Sequence, residues 1–202
     1  MIAKPKMYDE ITINESYEKI SLGGHRGIIK NIIEYTSAIS GNTSLKVEVD
    51  TSADDKQPNY FQKQFDENTN MDKKWSNSGT KYVSLKQDEN CIKMLKSFIT
   101  SVENSNPNFT YDWNKEVDQL KGKKVGLVFG LEEYKDNEGN IKAATKLVQF
   151  RSLDKLNEIK IPKVKLLDGS FMEYEDYKNR SINIANDKSN DVVEINPDSL
   201  PF

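Results

Sequence analysis

The stretch NCIKMLKSFITSV, residues 90–102, is the clearest amphipathic helix in the chain: Cys91, Ile92, Leu95, Phe98, Ile99 and Val102 recur at spacings of three and four. Its place among the strands decides the fold. Upstream, Leu45, Val47 and Val49 alternate with Lys46, Glu48 and Asp50, the period of a half-buried strand. Before them, HRGIIKNIIEYTS (25–37) carries paired isoleucines whose periodicity alone does not separate strand from helix. The turn chemistry of SAISGNTS (37–44) makes a hairpin from Gly24 to Asp50 the economical reading. Tyr82, Val83 and Leu85 form a short strand after the turn SNSGT. Downstream, KVGLVFGLEEY (124–134) is a strand whose Gly126 and Gly130 point to a bend or bulge. The turn DNEGN (136–140) then leads into a strand over 142–153.

The helix therefore falls between the third and fourth of five strands, which is the order of the OB-fold. A small α+β sandwich yields the same string. The expectation is a mainly β chain with one main helix: an N-terminal extension over 1–22, holding a short helical piece at 14–20, and an OB-fold-like five-stranded barrel over 23–165. An acidic, largely disordered tail follows over 166–202. No internal repeat is visible.

Composition narrows the function. Hydrophobic residues make up 36% of the 202-residue chain and charged residues 30%, enough for one packed domain plus some unpacked length. From Asp168 onward eight acids face three bases, a net of -5, so residues 1–167 carry +2 of the total -3. Cys91 is the only cysteine, read as a core residue, and His25 the only histidine. A disulfide framework and a zinc site of ordinary ligand spacing are therefore excluded. No stretch approaches the roughly 20 apolar residues of a membrane helix, and the first ten residues are too polar for a signal peptide. The expected place is the cytoplasm of a bacterial host cell.

The chemistry-bearing residues point to binding. Tyr60, Phe61, Phe65, Trp75 and Tyr82 interleave with Lys56, Lys63, Lys73, Lys74 and Lys81 in the region that precedes and forms the third strand. Aromatic rings stack on any base and lysines track phosphates, so this interleaving suits single-stranded nucleic acid. The rival reading makes these rings core or loop anchors, as most aromatics are. Arg26 and Lys30 on the first strand, Lys46 on the second, and Lys142 and Lys146, four apart on one face of the fifth, complete the basic set. Phe129 and Phe150 are read as core, and Phe109, Tyr111 and Trp113 sit in a loop. Catalysis has little support: Glu132 and Glu133 point to opposite faces of a strand, and Gly23-Gly24 lacks the Lys-Ser/Thr of a phosphate loop. No cofactor, no metal and no enzyme activity are expected. The alternatives are a phage protein-interaction or scaffold module and, behind it, a metal-dependent nuclease using Glu132, Glu133 and Asp136.

The chain finishes on DSLPF, an acid followed by Leu200, Pro201 and Phe202 after an acidic, low-complexity run. This tip resembles that of bacterial single-stranded DNA-binding proteins, although the usual run of aspartates is thinned to Asp191, Glu194 and Asp198. The segments LGGHRGIIKNIIEYTSAISGN, VENSNPNFTYDW and GKKVGLVFGLEEY look like replication-module proteins of phages or mobile elements of Gram-positive hosts. The resemblance implies a non-catalytic single-strand binder acting in replication or recombination. It also implies that Asp198, Leu200, Pro201 and Phe202 recruit replication or recombination proteins, with the body acting as a homo-oligomer.

Overall fold

The structure, a computed structural model, describes residues 18–180. The expected helical piece at 14–20 falls mostly outside this range, and the expected partner-binding residues Asp198, Leu200, Pro201 and Phe202 lie outside it altogether. Seven strands make one mixed sheet: β1 (Gly23–Thr36), β2 (Thr43–Thr51), β3 (Thr80–Ser84), β4 (Lys124–Lys135), β5 (Ile141–Arg151), β6 (Val164–Lys165) and β7 (Phe171–Met172). Helix α1 (Tyr60–Glu67) lies between β2 and β3, and α2 (Glu89–Ser105) between β3 and β4. The chain is mainly β, as expected, and the hairpin β1–β2, the short β3, the main helix and the hairpin β4–β5 stand in the expected order.

The paired isoleucines of β1 owe their ambiguous pattern to a bulge. Ile29 pairs with Val49 and Asn31 with Glu48, so Lys30 is an extra residue. The bulge resets the alternation, and Ile29 and Ile32, three apart, both point into the core at 1% exposure. In β2 the alternation holds through Leu45, Val47 and Val49, all buried, and ends where Asp50 and Thr51 are buried as well. In α2, Asp88 accepts a hydrogen bond from Cys91 N at 2.9 Å as the N-cap. Only the C-terminal half of α2 is covered: Phe98, Ile99 and Val102 are buried, whereas Ile92 and Met94 are exposed and Cys91 is half-buried instead of core.

The sheet is open, which corrects the expected closed five-stranded barrel. Strands run in the order β3-β2-β1-β4-β6-β7, with β5 on the other edge of β4. Closure would need β3 hydrogen-bonded to β5, and no such pairing forms among the described residues. β3 spans only five residues, and Lys81 crosses the seam, its Nζ donating to Leu147 O at 3.4 Å. Beyond Phe129, the partner of Gly23, β4 outruns β1; the vacant edge is taken by β6, which pairs in parallel at Glu132 and Lys165. The bulge expected near Gly126 and Gly130 sits across from them at Val148 of β5. Gly126 serves close approach instead: a Cβ there would lie 2.7 Å from Arg151 O and 2.8 Å from Leu156 Cδ2.

Two buried carboxylates fasten the irregular segments. Asp50 Oδ1 accepts from Thr51 N and Phe61 N, and Oδ2 from Gln62 N, while Thr51 Oγ1 accepts from Tyr60 N. The amides at the start of α1 are thus capped from β2, since Asn59 provides no side-chain cap. On the other side, Asp55 takes His25 Nδ1 at 2.8 Å, Arg26 N at 2.7 Å and Gln57 N at 2.9 Å. His25 Nε2 lies 2.9 Å from Ser21 O and 3.0 Å from Ser21 Oγ, and its ring packs edge-on against Phe129. This Ser-His-Asp row is built into the core, with His25 at 1% exposure. It ties residues 18–22 and the loop after β2 to β1.

Burial pushes Asp55 up, but the hydrogen bonds from His25, Gln57 and Arg26 outweigh it and hold the carboxyl below its usual 3.8. A lowered folded pKa stabilises the fold above the unfolded value and loses that contribution as pH falls through the folded one. Burial raises Asp50, which works in the opposite sense and favours its protonated form in the fold. Asp55→Asn therefore flattens the loss of stability below about pH 4. Urea midpoints at pH 5 and pH 3 check this; an unchanged difference between them would place the acid sensitivity elsewhere.

Candidate nucleic-acid interface

Inward placement of Leu45, Val47 and Val83 turns their neighbours outward, and this builds the candidate surface. Across β1, β2 and β3, Ile33 stands opposite Lys46 and Lys46 opposite Tyr82; Tyr35 stands opposite Ser44 and Ser44 opposite Ser84. The Tyr35 and Tyr82 rings meet diagonally, with centroids 5.5 Å apart and planes tilted by 57°. Exposures of 41% for Tyr35, 50% for Tyr82 and 42% for Ile33 leave a continuous ring-and-aliphatic strip facing solvent. Such half-exposed rings offer apolar area to a planar partner. Lys46 is the cation of the strip, held by Glu48, which also accepts from Asn31 Nδ2 at 3.1 Å.

No protein-family model matches the sequence, and no curated protein is significantly similar to it.

The other aromatics expected at the interface divide between core and edge. Phe61 is the clear correction: at 1% exposure it packs on Tyr60 and Phe129, so it is a core residue and cannot stack on a ligand. Tyr60 is half-buried against the core, and its hydroxyl accepts from Ile20 N at 2.9 Å. Trp75 also packs on the core and donates from Nε1 to Val49 O at 3.1 Å. Phe65 tilts against Trp75 at 5.6 Å, with Lys73 Nζ 4.7 Å from its ring centroid. What reads in sequence as an aromatic-bearing loop is thus a short helix plus its packing partners. The i, i+4 spacing of Phe61 and Phe65 was the available signal.

The basic residues disperse in the same way. Arg26 pairs with Asp54 at 2.8 Å and Lys142 with Asp136 at 3.0 Å. The hydrogen bond to Asp136 raises Lys142 and the same bond lowers Asp136. Lys142 and Lys146 do share one face of β5, pairing with Tyr134 and Gly130 ahead of the bulge. Lys30, Lys56, Lys63 and Lys74 are exposed and make no salt bridge among the described residues. Of the expected set, only Lys46 and Tyr82 stand side by side on the strip.

Tyr35 is the residue that sequence reasoning missed, along with Ile33 and the exposed Trp113. Once Ile32 is known to point inward, Ile33 and Tyr35 fall together on the outer face, but the bulge at Lys30 hides that phase in the sequence. Trp113 is 69% exposed and packs edge-on against Tyr111 at 4.8 Å. Burial raises Tyr111, and the negative charges of Glu34 and Glu116 add to the shift. The acids of the nuclease alternative are separately engaged: Glu132 with Lys165 at 3.7 Å, Glu133 with Leu167 N at 3.0 Å and Asp136 with Lys142. Among the described residues no group of three or more His, Cys, Asp or Glu converges as a metal site, and no helix is long and apolar enough to cross a membrane.

Proposed function

We propose that this protein binds single-stranded DNA without catalysis, in replication or recombination, through the outer face of β1, β2 and β3. The observation that carries the reading is the exposed Tyr35–Tyr82 pair flanked by Ile33 and Lys46. Successive unpaired bases stack on such rings without regard to sequence, and duplex DNA, whose bases are covered, finds no equivalent contact. The connectivity of five strands with α2 between the third and fourth supports an OB-like ancestry in which β3 and β5 have separated. Exposed Lys30 and Lys74 and the half-buried Lys146 supply phosphate contacts from separate elements. On the same reading, the acidic segment with Asp198, Leu200, Pro201 and Phe202 takes replication or recombination proteins, and the body assembles into homo-oligomers along the strand.

The test is fluorescence anisotropy of a labelled oligo-dT titrated with the full chain at two salt concentrations, with unlabelled duplex as competitor. Affinity is expected to fall as salt rises, with a log-log slope near -0.7 for each phosphate contact made, and duplex is expected not to compete. Absence of binding at low salt overturns the reading.

A further inference from the structure

The open seam between β3 and β5 is a cavity of about 630 Å³. Its lining mixes apolar and charged side chains: Phe98 and Phe150, tilted against each other at 4.6 Å and nearly buried, join Leu131, Pro162 and the 65% exposed Phe171. Four ammonium groups line it, from Lys81, Lys93, Lys163 and Lys165, against one carboxylate, Glu132. The three rim lysines have carboxylate partners: Lys93 with Glu89, Lys163 with Glu173 and Lys165 with Glu132. Lys81 has none among the described residues. It is half-buried and carries three donors, yet its one hydrogen bond is the 3.4 Å contact to Leu147 O.

A desolvated ammonium left short of acceptors, facing an aromatic-walled cavity, is built to receive an anion borne on a planar apolar body. Burial lowers Lys81, with Glu132 opposing the shift and the positive charge of Lys165 adding to it. Lys81 and Tyr82 are adjacent on β3 and point to its two faces. A strand running over the tyrosine pair therefore reaches the cavity by turning around the β3 edge.

We propose that the β3–β5 cavity binds one unstacked nucleotide of the strand, its phosphate on Lys81 and its base against the exposed ring of Phe171. This rests on the single-strand reading for its ligand, but the cavity is testable apart from the sheet face. Thymidine monophosphate is small enough to occupy the cavity without spanning the Tyr35–Tyr82 strip, so it serves as the probe, titrated into ¹⁵N-labelled full chain and followed by amide shifts. Shifts confined to Val83, Ser97, Phe98, Gln149 and Phe150 are expected, lost in Lys81→Met and weakened severalfold in Lys93→Glu, a rim change at a side chain 68% exposed that leaves the core untouched. For oligo-dT, Lys81→Met is expected to lower affinity about tenfold and the salt slope by roughly 0.7, the share of one phosphate. No shifts at millimolar nucleotide, or shifts that persist in both variants, overturn the cavity site. Oligo-dT binding at wild-type affinity in both variants leaves the sheet-face reading standing and the cavity site refuted. Cavity shifts with no oligonucleotide binding overturn the sheet face alone and leave a free-nucleotide site.

Discussion

Replacing Tyr35 and Tyr82 together with alanine lowers affinity for oligo-dT by at least about thirtyfold, because each lost base-ring stack is worth about 1–3 kcal/mol and a tenfold change in affinity is about 1.4 kcal/mol. The fold is expected to survive, since both rings are about half exposed and every inward neighbour on the three strands is retained. Loss of the cross-strand pair itself lowers stability by no more than about 1 kcal/mol. A circular-dichroism melt therefore separates lost stacking from lost structure. Single variants are expected to fall between wild type and the double variant, with the salt slope unchanged, because neither phenol contacts phosphate on this reading. A double variant that binds oligo-dT as tightly as wild type would move the interface off this face.

The largest stability effect is expected at Asp50→Ala. Its carboxylate accepts from Thr51 N, Phe61 N and Gln62 N at 2.9, 2.8 and 3.3 Å, in a site 1% exposed. Removing it strands the amides of β2 and α1, and a buried donor left without an acceptor costs about 1–3 kcal/mol. The two shorter bonds dominate, so a loss of about 3 kcal/mol is expected, or roughly 10 °C in melting temperature for a chain of this size. Phe61 then loses the anchor that holds it against Phe129, so near-ultraviolet circular dichroism should weaken with the melt. Asp50→Asn retains one acceptor oxygen and should lose less. If Asp50→Ala melts within 2 °C of wild type, capping of α1 from β2 is not what holds the helix.

Much of the architecture was legible because it rests on short-range periodicity. Alternation in β2, the helical stripe of α2 and the turn at DNEGN each report burial within one element. The bulges at Lys30 and Val148 left no comparable mark, because one extra residue only makes sense against the partner strand. The aromatic stretch misled for a related reason. Phe61 and Phe65 sit among charges in sequence, but Asp50, eleven residues before Phe61, caps the helix that carries Phe61 inward.

Sequence alone therefore determined a mainly β chain with one principal helix between its third and fourth strands, an acidic excess gathered after residue 167, and a stock of aromatics and lysines suited to a nucleic acid. Tertiary structure decided which of those side chains meet. The pairing of β1, β2 and β3 brought Tyr35 to Tyr82, α1 withdrew Phe61 into the core, and the failure of β3 to pair with β5 opened the cavity over Lys81. The physical reason is one of range. Alternation tells which face of a strand is wet, whereas which wet residues are neighbours depends on register between strands far apart in the chain.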